Sequence, residues 1–426
     1  MRNTLRIVFV LFILILLLPM LNDNLNLFKI KALNGAFKTL SKPKLDYKTW
    51  WNGTFQDSYT EYKSQSIKFR PVFVRINNQL DFSLFKKTNA TKLVIGKQNY
   101  LFEDNYINAY TGKDFIGIDE INKKVKRAIR VQQALENIGV DMIFVFLPGK
   151  ATYFSEFIPN RFLNSLSDST NYKYFKEKTV NSGLNIIDYN DWFLRMKDTV
   201  NLPLYPKCGI HWSYYGMYLV ADSLINFIDS RLSYDIPTLC LNSIEISEEQ
   251  RGTDYDIGNT LNLLFPISTY PMPYPNISYN TEHKQKPKVL VIGDSYYWNM
   301  YYSGIPGNVF SKLDFWYYNH NIHNDGTSTV VNTTDNIDFK SEISKQDVIL
   351  IMQTDGGLNN FGLGFFEKAE QYLNSNSFDL RVEYYKNKIL NDIAWQNHIR
   401  EKALKQGVSF EEMIERDARY MVQQEN

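Results

Sequence analysis

The sequence predicts an α/β protein built on a parallel sheet with helices on both faces, and three observations carry that prediction. Short apolar, β-branched runs recur between residues 92 and 354, each closed by Gly, Pro, Asp or Asn. Stretches with helical spacing of apolar residues separate them. Several runs are apolar throughout, the pattern of strands covered on both faces. The 426 residues, 44% hydrophobic and 22% charged, suffice for one large or two modest domains and exclude wholesale disorder. A net charge of +1 gives no electrostatic basis for binding nucleic acid, so no nucleic-acid partner is expected.

The N-terminus reads "MRNTLRIVFVLFILILLLPMLNDN", with Arg2 and Arg6 ahead of an apolar run at 7–21. The basic flank predicts a cytoplasmic N-terminus and an exported remainder. The run is short for a membrane span and long for a signal h-region, and no small-x-small cleavage pattern follows it. An uncleaved signal anchor over 1–24 is expected, a single pass through the inner (cytoplasmic) membrane with the rest periplasmic or extracellular. A cleaved signal is the alternative. Residues 25–90, polar and aromatic, read as a membrane-proximal extension.

The main domain is expected over 91–365. "KLVIG" (92–96) is a short strand. Residues 119–138 put Ile121, Val125, Ala128, Ile129 and Leu135 on one helical face, and Gly139 ends the helix. "VDMIFVFLP" is a buried strand, and "LNIIDY" (184–189) is another. Residues 213–232 form a long helix with Ser213 as N-cap. "KVLVIGDSYYW" (288–298) is a strand entering a turn, and "KLDFWYYN" and "DVILIMQT" supply two more. Residues 233–287, rich in Pro, Asn, Ser and Tyr, read as a long insertion, a lid or a substrate-facing loop. From 366 to 426 the pattern is helical and charged, a tail in which Ser409 and Glu412 form a capping box. Cys208 and Cys240 either pair in an oxidising compartment or stay free thiols.

The chemistry centres on "VLVIGDSYYW". A strand ending in Gly293-Asp294-Ser295 delivers a serine to the carboxyl edge of a parallel sheet, where ligands bind in such folds. Turn amides there can donate to a developing oxyanion. An ordinary turn uses the same residue types. A nucleophilic serine needs a base. Of five histidines, His283 lies in a Lys-rich loop, His398 in the tail, and His320 and His323 have no Cys, Asp or Glu cluster to complete a metal site. No metal or cofactor is expected. His211, in "KCGIHWSYYG" ahead of a helix, remains.

Four segments, "VIGKQNYLFEDN" (94–105), "FLPGKATYFSEFIP" (146–159), "KCGIHWSYYGMYL" (207–219) and "VLVIGDSYYWN" (289–299), occur in an order with the His motif before the Ser strand. Together, over roughly residues 45–365, they resemble the alginate O-acetyltransferase-related branch of the SGNH hydrolase-like proteins. The resemblance implies an SGNH-like sheet and acetyl transfer to an exported polysaccharide. It implies Ser295 as nucleophile and His211 as general base. The oxyanion hole would be lined by the Ser295 backbone N–H at the Gly293 turn, with Asn299. Lys150, Trp212 and Gln353 become cleft candidates, each with a structural role as the alternative. It also implies a polysaccharide acceptor and, as acetyl donor, a polytopic membrane-bound O-acyltransferase. A carbohydrate acetyl-esterase and an inactive polysaccharide-binding subunit are the alternatives.

One position departs from the family. Its motif is Asp-x-His-Trp, and here the acid is replaced by Gly209. Three solutions stay open: an acid from elsewhere (Asp188, Asp191 or Asp355), a backbone carbonyl behind a Ser–His dyad, or a site without activity.

Overall fold

The protein is described here as a computed structural model, covering residues 2–35, 40–373 and 377–424. Eleven strands follow in chain order: β1 (Leu93–Ile95), β2 (Leu101–Glu103), β3 (Asp141–Leu147), β4 (Ile186–Asp188), β5 (Thr238–Ser247), β6 (Met272–Asn280), β7 (Val289–Gly293), β8 (Asp314–Tyr317), β9 (Asn321–His323), β10 (Asn332–Thr333) and β11 (Val348–Thr354). Seven of them form one sheet in the order β10-β9-β8-β7-β11-β3-β4. From β8 to β4 all pairings are parallel.

The apolar runs have a direct cause. Side chains alternate between the two faces of a strand. On β3 and β7, Ile143, Val145, Leu147, Val289 and Val291 enter one core, while Met142, Phe144, Phe146, Leu290 and Ile292 enter the other. With both faces covered, every residue of β7 and β11 is buried. On the second face the helix Ile118–Glu136 lays down Ile121, Val125, Ala128, Val131 and Leu135. On the first, the helix Tyr214–Asp229 packs Met217, Val220, Ala221 and Leu224, and Ser213 Oγ accepts from Gly216 N at its start.

Three expectations change. The sheet is mixed, because β9 and β10 run antiparallel at its edge. β1 stays outside it and, among the described residues, pairs only with β2. Residues 233–287 contain an antiparallel ribbon, β5 with β6, and the chain between those strands folds back toward residue 208. That ribbon is largely exposed along β5, so its apolar signal is weak.

The helix Arg2–Leu25 has no buried residue in its apolar window. Its 24 residues span about 36 Å, enough to cross a bilayer core, since the helix extends beyond the apolar run on both sides. Past it lie the helices Tyr47–Trp51, Thr54–Ser66 and Arg70–Phe85. At the other end, the helix Phe365–Leu373 belongs to the sheet's second core through Phe365, Phe366, Ala369 and Leu373. The helices Ser377–Asn391, Ile393–Gln406 and Phe410–Gln424 form a satellite cluster around Ile389, Ile399, Met413 and Val422, and Ser409 Oγ caps the last one at Glu412 N. Cys208 is buried, Cys240 is exposed, and both are free.

Candidate active site

Ser295 is the second residue after the buried β7, in the turn before the helix Tyr297–Tyr302. The turn is held by its neighbour. Asp294, almost fully buried, accepts at Oδ2 from Thr354 N and Thr354 Oγ1 (both 2.7 Å) and at Oδ1 from Tyr296 N (3.0 Å). Burial pushes its pKa up, and these donors act in the opposite direction. Asp294 is therefore a brace between β7 and β11. The Ser295 amide has no partner among the described residues and is free to donate.

His211 sits on a segment with no regular secondary structure, so side chains must hold it. Lys150 Nζ, wholly buried, donates to the carbonyls of Lys207 (2.9 Å) and Gly209 (2.5 Å). Burial drives the Lys150 ammonium down to about 7. Gly258 N donates to Cys208 O (2.9 Å), and Tyr296 Oη donates to Ile210 O (2.8 Å). The Tyr296 ring also packs edge-on against His211 (5.0 Å) and Trp212 (5.4 Å). Since Tyr296 follows Ser295 in the chain, the nucleophile turn and the histidine segment are fastened to each other.

The result is a line of three groups. His211 Nε2 is 3.1 Å from Ser295 Oγ, and His211 Nδ1 is 3.3 Å from Asp256 Oδ2. Asp256 comes from the chain between β5 and β6. Its Oδ1 accepts from Ile257 N (2.6 Å) and Ile210 N (3.1 Å), which fixes the carboxylate in the histidine's own backbone. Gly209 makes this possible. A Cβ there would stand 2.2 Å from Thr253 O and 2.9 Å from the Asp254 carbonyl carbon. The missing side chain is the space through which the Asp256 segment approaches.

The acids expected from the sequence are elsewhere. Asp188 caps the helix Tyr189–Met196 at Asp191 N, accepts from Tyr172 Oη (2.8 Å) and faces Lys176 (3.3 Å). Asp191 pairs with Lys176 and Arg195. Asp355 is sealed beneath Gly149, where a Cβ would overlap its Oδ1, and accepts from Thr152 Oγ1. Three cleft candidates are corrected as well, because Lys150, Trp212 and Gln353 are all fully buried. Trp212 is core. Gln353 Nε2 donates to Gly357 O and Asn360 O, and its Oε1 accepts from Gly362 N, bracing the turn after β11. Gly293 is paired within the sheet, and its carbonyl accepts from Tyr318 N. Asn299 Nδ2 donates to Thr253 Oγ1 (2.7 Å), tying its helix to the Asp256 segment.

Besides Asp256, two residues near the site escaped the sequence reading. Tyr318 follows directly on β8 near Asp294; partial burial and then the Asp294 charge push its phenol pKa up. Tyr318 holds a left-handed backbone (φ +50°), uncommon in a non-glycine residue, and its ring packs against Tyr317. Glu103, at the end of β2, is raised by burial and opposed by His211. A serine, an imidazole and a carboxylate in line suit general-base activation of the hydroxyl, with the acid fixing the tautomer and stabilising the imidazolium.

Residues 93–304 match the family model described as the SGNH hydrolase-like domain of acetyltransferase AlgX. Among solved structures, the O-acetyltransferase domain of Pseudomonas putida AlgJ is 14% identical with a TM-score of 0.42, over 66% of this chain and 99% of that one. Bacillus cereus PatB1 is 12% identical with a TM-score of 0.39, over 63% of this chain and 97% of that one. Pseudomonas aeruginosa AlgX is 9% identical with a TM-score of 0.38, over 66% and 68%. No functionally curated protein sequence matches the chain. The matched segment holds His211, Asp256 and Ser295, and over those residues the chain is similar to the SGNH hydrolase-like acetyltransferase domain of that model.

Proposed function

We propose that the protein O-acetylates an exported polysaccharide through an acetyl-serine intermediate. Ser295 Oγ attacks the acetyl carbonyl carbon while its proton passes to His211 Nε2. The Ser295 N–H donates to the oxyanion, and the leaving group departs with the proton from His211. A sugar hydroxyl then gives its proton to His211 and attacks acetyl-Ser295, which releases the acetylated sugar and restores the serine. Asp256 holds His211 with Nε2 toward Ser295 in both halves. The observation that carries this reading is the Ser295–His211–Asp256 line, within a domain that matches an acetyltransferase family. The helix Arg2–Leu25 supports a single-pass anchor in the inner membrane with the domain outside the cytoplasm. The acetyl group then comes from a membrane-bound O-acyltransferase.

The test uses the full chain with an activated acetyl ester and a polysaccharide acceptor. Wild type should carry an acetyl group on the Ser295 peptide after an acid quench, and should pass it to the sugar. Ser295→Ala should do neither while keeping its melting temperature. Equal activity of the two proteins removes Ser295 from the chemistry. Release of acetate with no sugar acetylated at any acceptor concentration identifies a carbohydrate acetyl-esterase instead.

A further inference from the structure

We propose that the outward face of the helix Arg70–Phe85, with the aromatic segment before it, docks on the headgroup layer of an anionic bilayer beside the span. This rests on reading Arg2–Leu25 as that span.

The first observation is an apolar stripe that the domain leaves uncovered. Phe73, Ile76, Leu80 and Leu84 recur at helical spacing and are 45%, 40%, 53% and 67% exposed. In an ordinary surface helix these positions would be polar. Opposite them, Asn78 Nδ2 donates to Leu261 O (2.9 Å) and Gln79 Oε1 accepts from Phe265 N (3.1 Å), so the helix is docked with its apolar stripe outward.

The second is continuity with the span. Lys68, just before the helix, donates from its backbone N to Asp23 Oδ1 (3.0 Å) and from Nζ to Asp23 O and Asn26 Oδ1. Asp23 is in the last turn of Arg2–Leu25. Arg75 adds bonds to the carbonyls of Lys31 and Ala32. The stripe is thereby tied to the point where the chain leaves the membrane.

The third is composition. Residues 26–90 hold twelve Lys and Arg against four Asp and Glu, in a chain whose net charge is only +1. Tyr47, Trp50 and Trp51 are exposed in the same region. Basic residues beside exposed Trp and Tyr suit an interface of anionic headgroups above acyl chains. An apolar stripe meeting a protein partner would not call for that charge excess. The segment held by Asn78, and by the reciprocal bonds between Asn34 and Asn262, continues the chain that carries Asp256.

The test places the full chain, with Cys240→Ser, in vesicles of mixed anionic and zwitterionic lipid brominated along the acyl chains. One added cysteine per variant, Leu80→Cys or Leu84→Cys, carries a fluorophore while the buried Cys208 is left in place; Leu14→Cys reports the span, and Ile393→Cys on the tail serves as the control in water. Quenching at 80 and 84 should exceed that at 393 by at least about twofold and should weaken when the anionic lipid is left out. Quenching at 14 with none beyond the control at 80 and 84 overturns the docking and leaves the span. Absence of quenching at 14 removes the span, and the docking with it. Shielding of 80 and 84 in native membranes but not in protein-free vesicles assigns the face to a protein and overturns the lipid proposal.

Discussion

Replacing Asp256 by Asn tests the site at the point where the sequence left a gap. The carboxylate faces His211 Nδ1 at 3.3 Å. Two unit charges at that distance interact by about 5 kcal/mol at an effective dielectric of 20 and about 1.3 kcal/mol at that of water. The Asp256 side chain is 28% exposed and that of His211 11%, so the pair falls between these limits, near 3 kcal/mol as an order of magnitude. That alone slows formation of the imidazolium by about two powers of ten. Asn adds a second penalty. Its Oδ1 keeps the bonds from Ile210 N and Ile257 N, which turns the amide Nδ2–H toward His211 Nδ1. The imidazole then has to accept at Nδ1 and carry its proton on Nε2, the tautomer that cannot take a proton from Ser295. The expected loss in kcat is therefore at least about a hundredfold, with KM nearly unchanged and the melting temperature retained. Acetyl-enzyme formation measured in a single turnover gives the number directly. Asp188→Asn, which keeps its capping oxygen, should stay within about twofold of wild type by the same reasoning. An Asp256→Asn protein as fast as wild type would falsify the assignment of Asp256 as the orienting acid.

Gly209→Asp restores the family's motif yet should lose both stability and activity. Its Cβ would collide with Thr253 O, and overpacking of this kind costs about 1–3 kcal/mol; a variant as stable and active as wild type would show that the close approach is unimportant. Asp355→Asn probes a buried acid whose pKa burial raises to about 7. The unfolded chain loses this proton near pH 4 and the folded one near 7, so wild-type stability falls as pH rises across that window, by up to roughly 4 kcal/mol. The Asn variant should melt higher than wild type at pH 8 and show no such gain at pH 4, as thermal denaturation at the two pH values will tell.

The sequence by itself determined the centre of the sheet. β3, β7 and β11 are legible because burial on both faces demands apolar residues throughout, and that demand is local to each strand. It also made Ser295 and His211 legible, one as a strand-end turn and the other through the order of four short segments. The edge strands β9 and β10 and the hairpin β5–β6 were not legible, since exposed or short strands impose little on composition. The tertiary structure alone brought a carboxylate to His211. Asp256 is 45 positions from His211 in a polar stretch, and nothing local distinguishes it from Asp254 two residues earlier. Asp254 is instead sealed in the interior against Tyr274 Oη. Burial likewise separated Lys150, Trp212 and Gln353 from the cleft, because a motif residue facing substrate and one bracing the loop behind it have the same sequence. Gly209 shows the division most directly: in the sequence it is a missing carboxylate, and in the fold it is the space that lets a distant carboxylate reach His211, since close approach of two backbones depends on chain packing and leaves no local pattern.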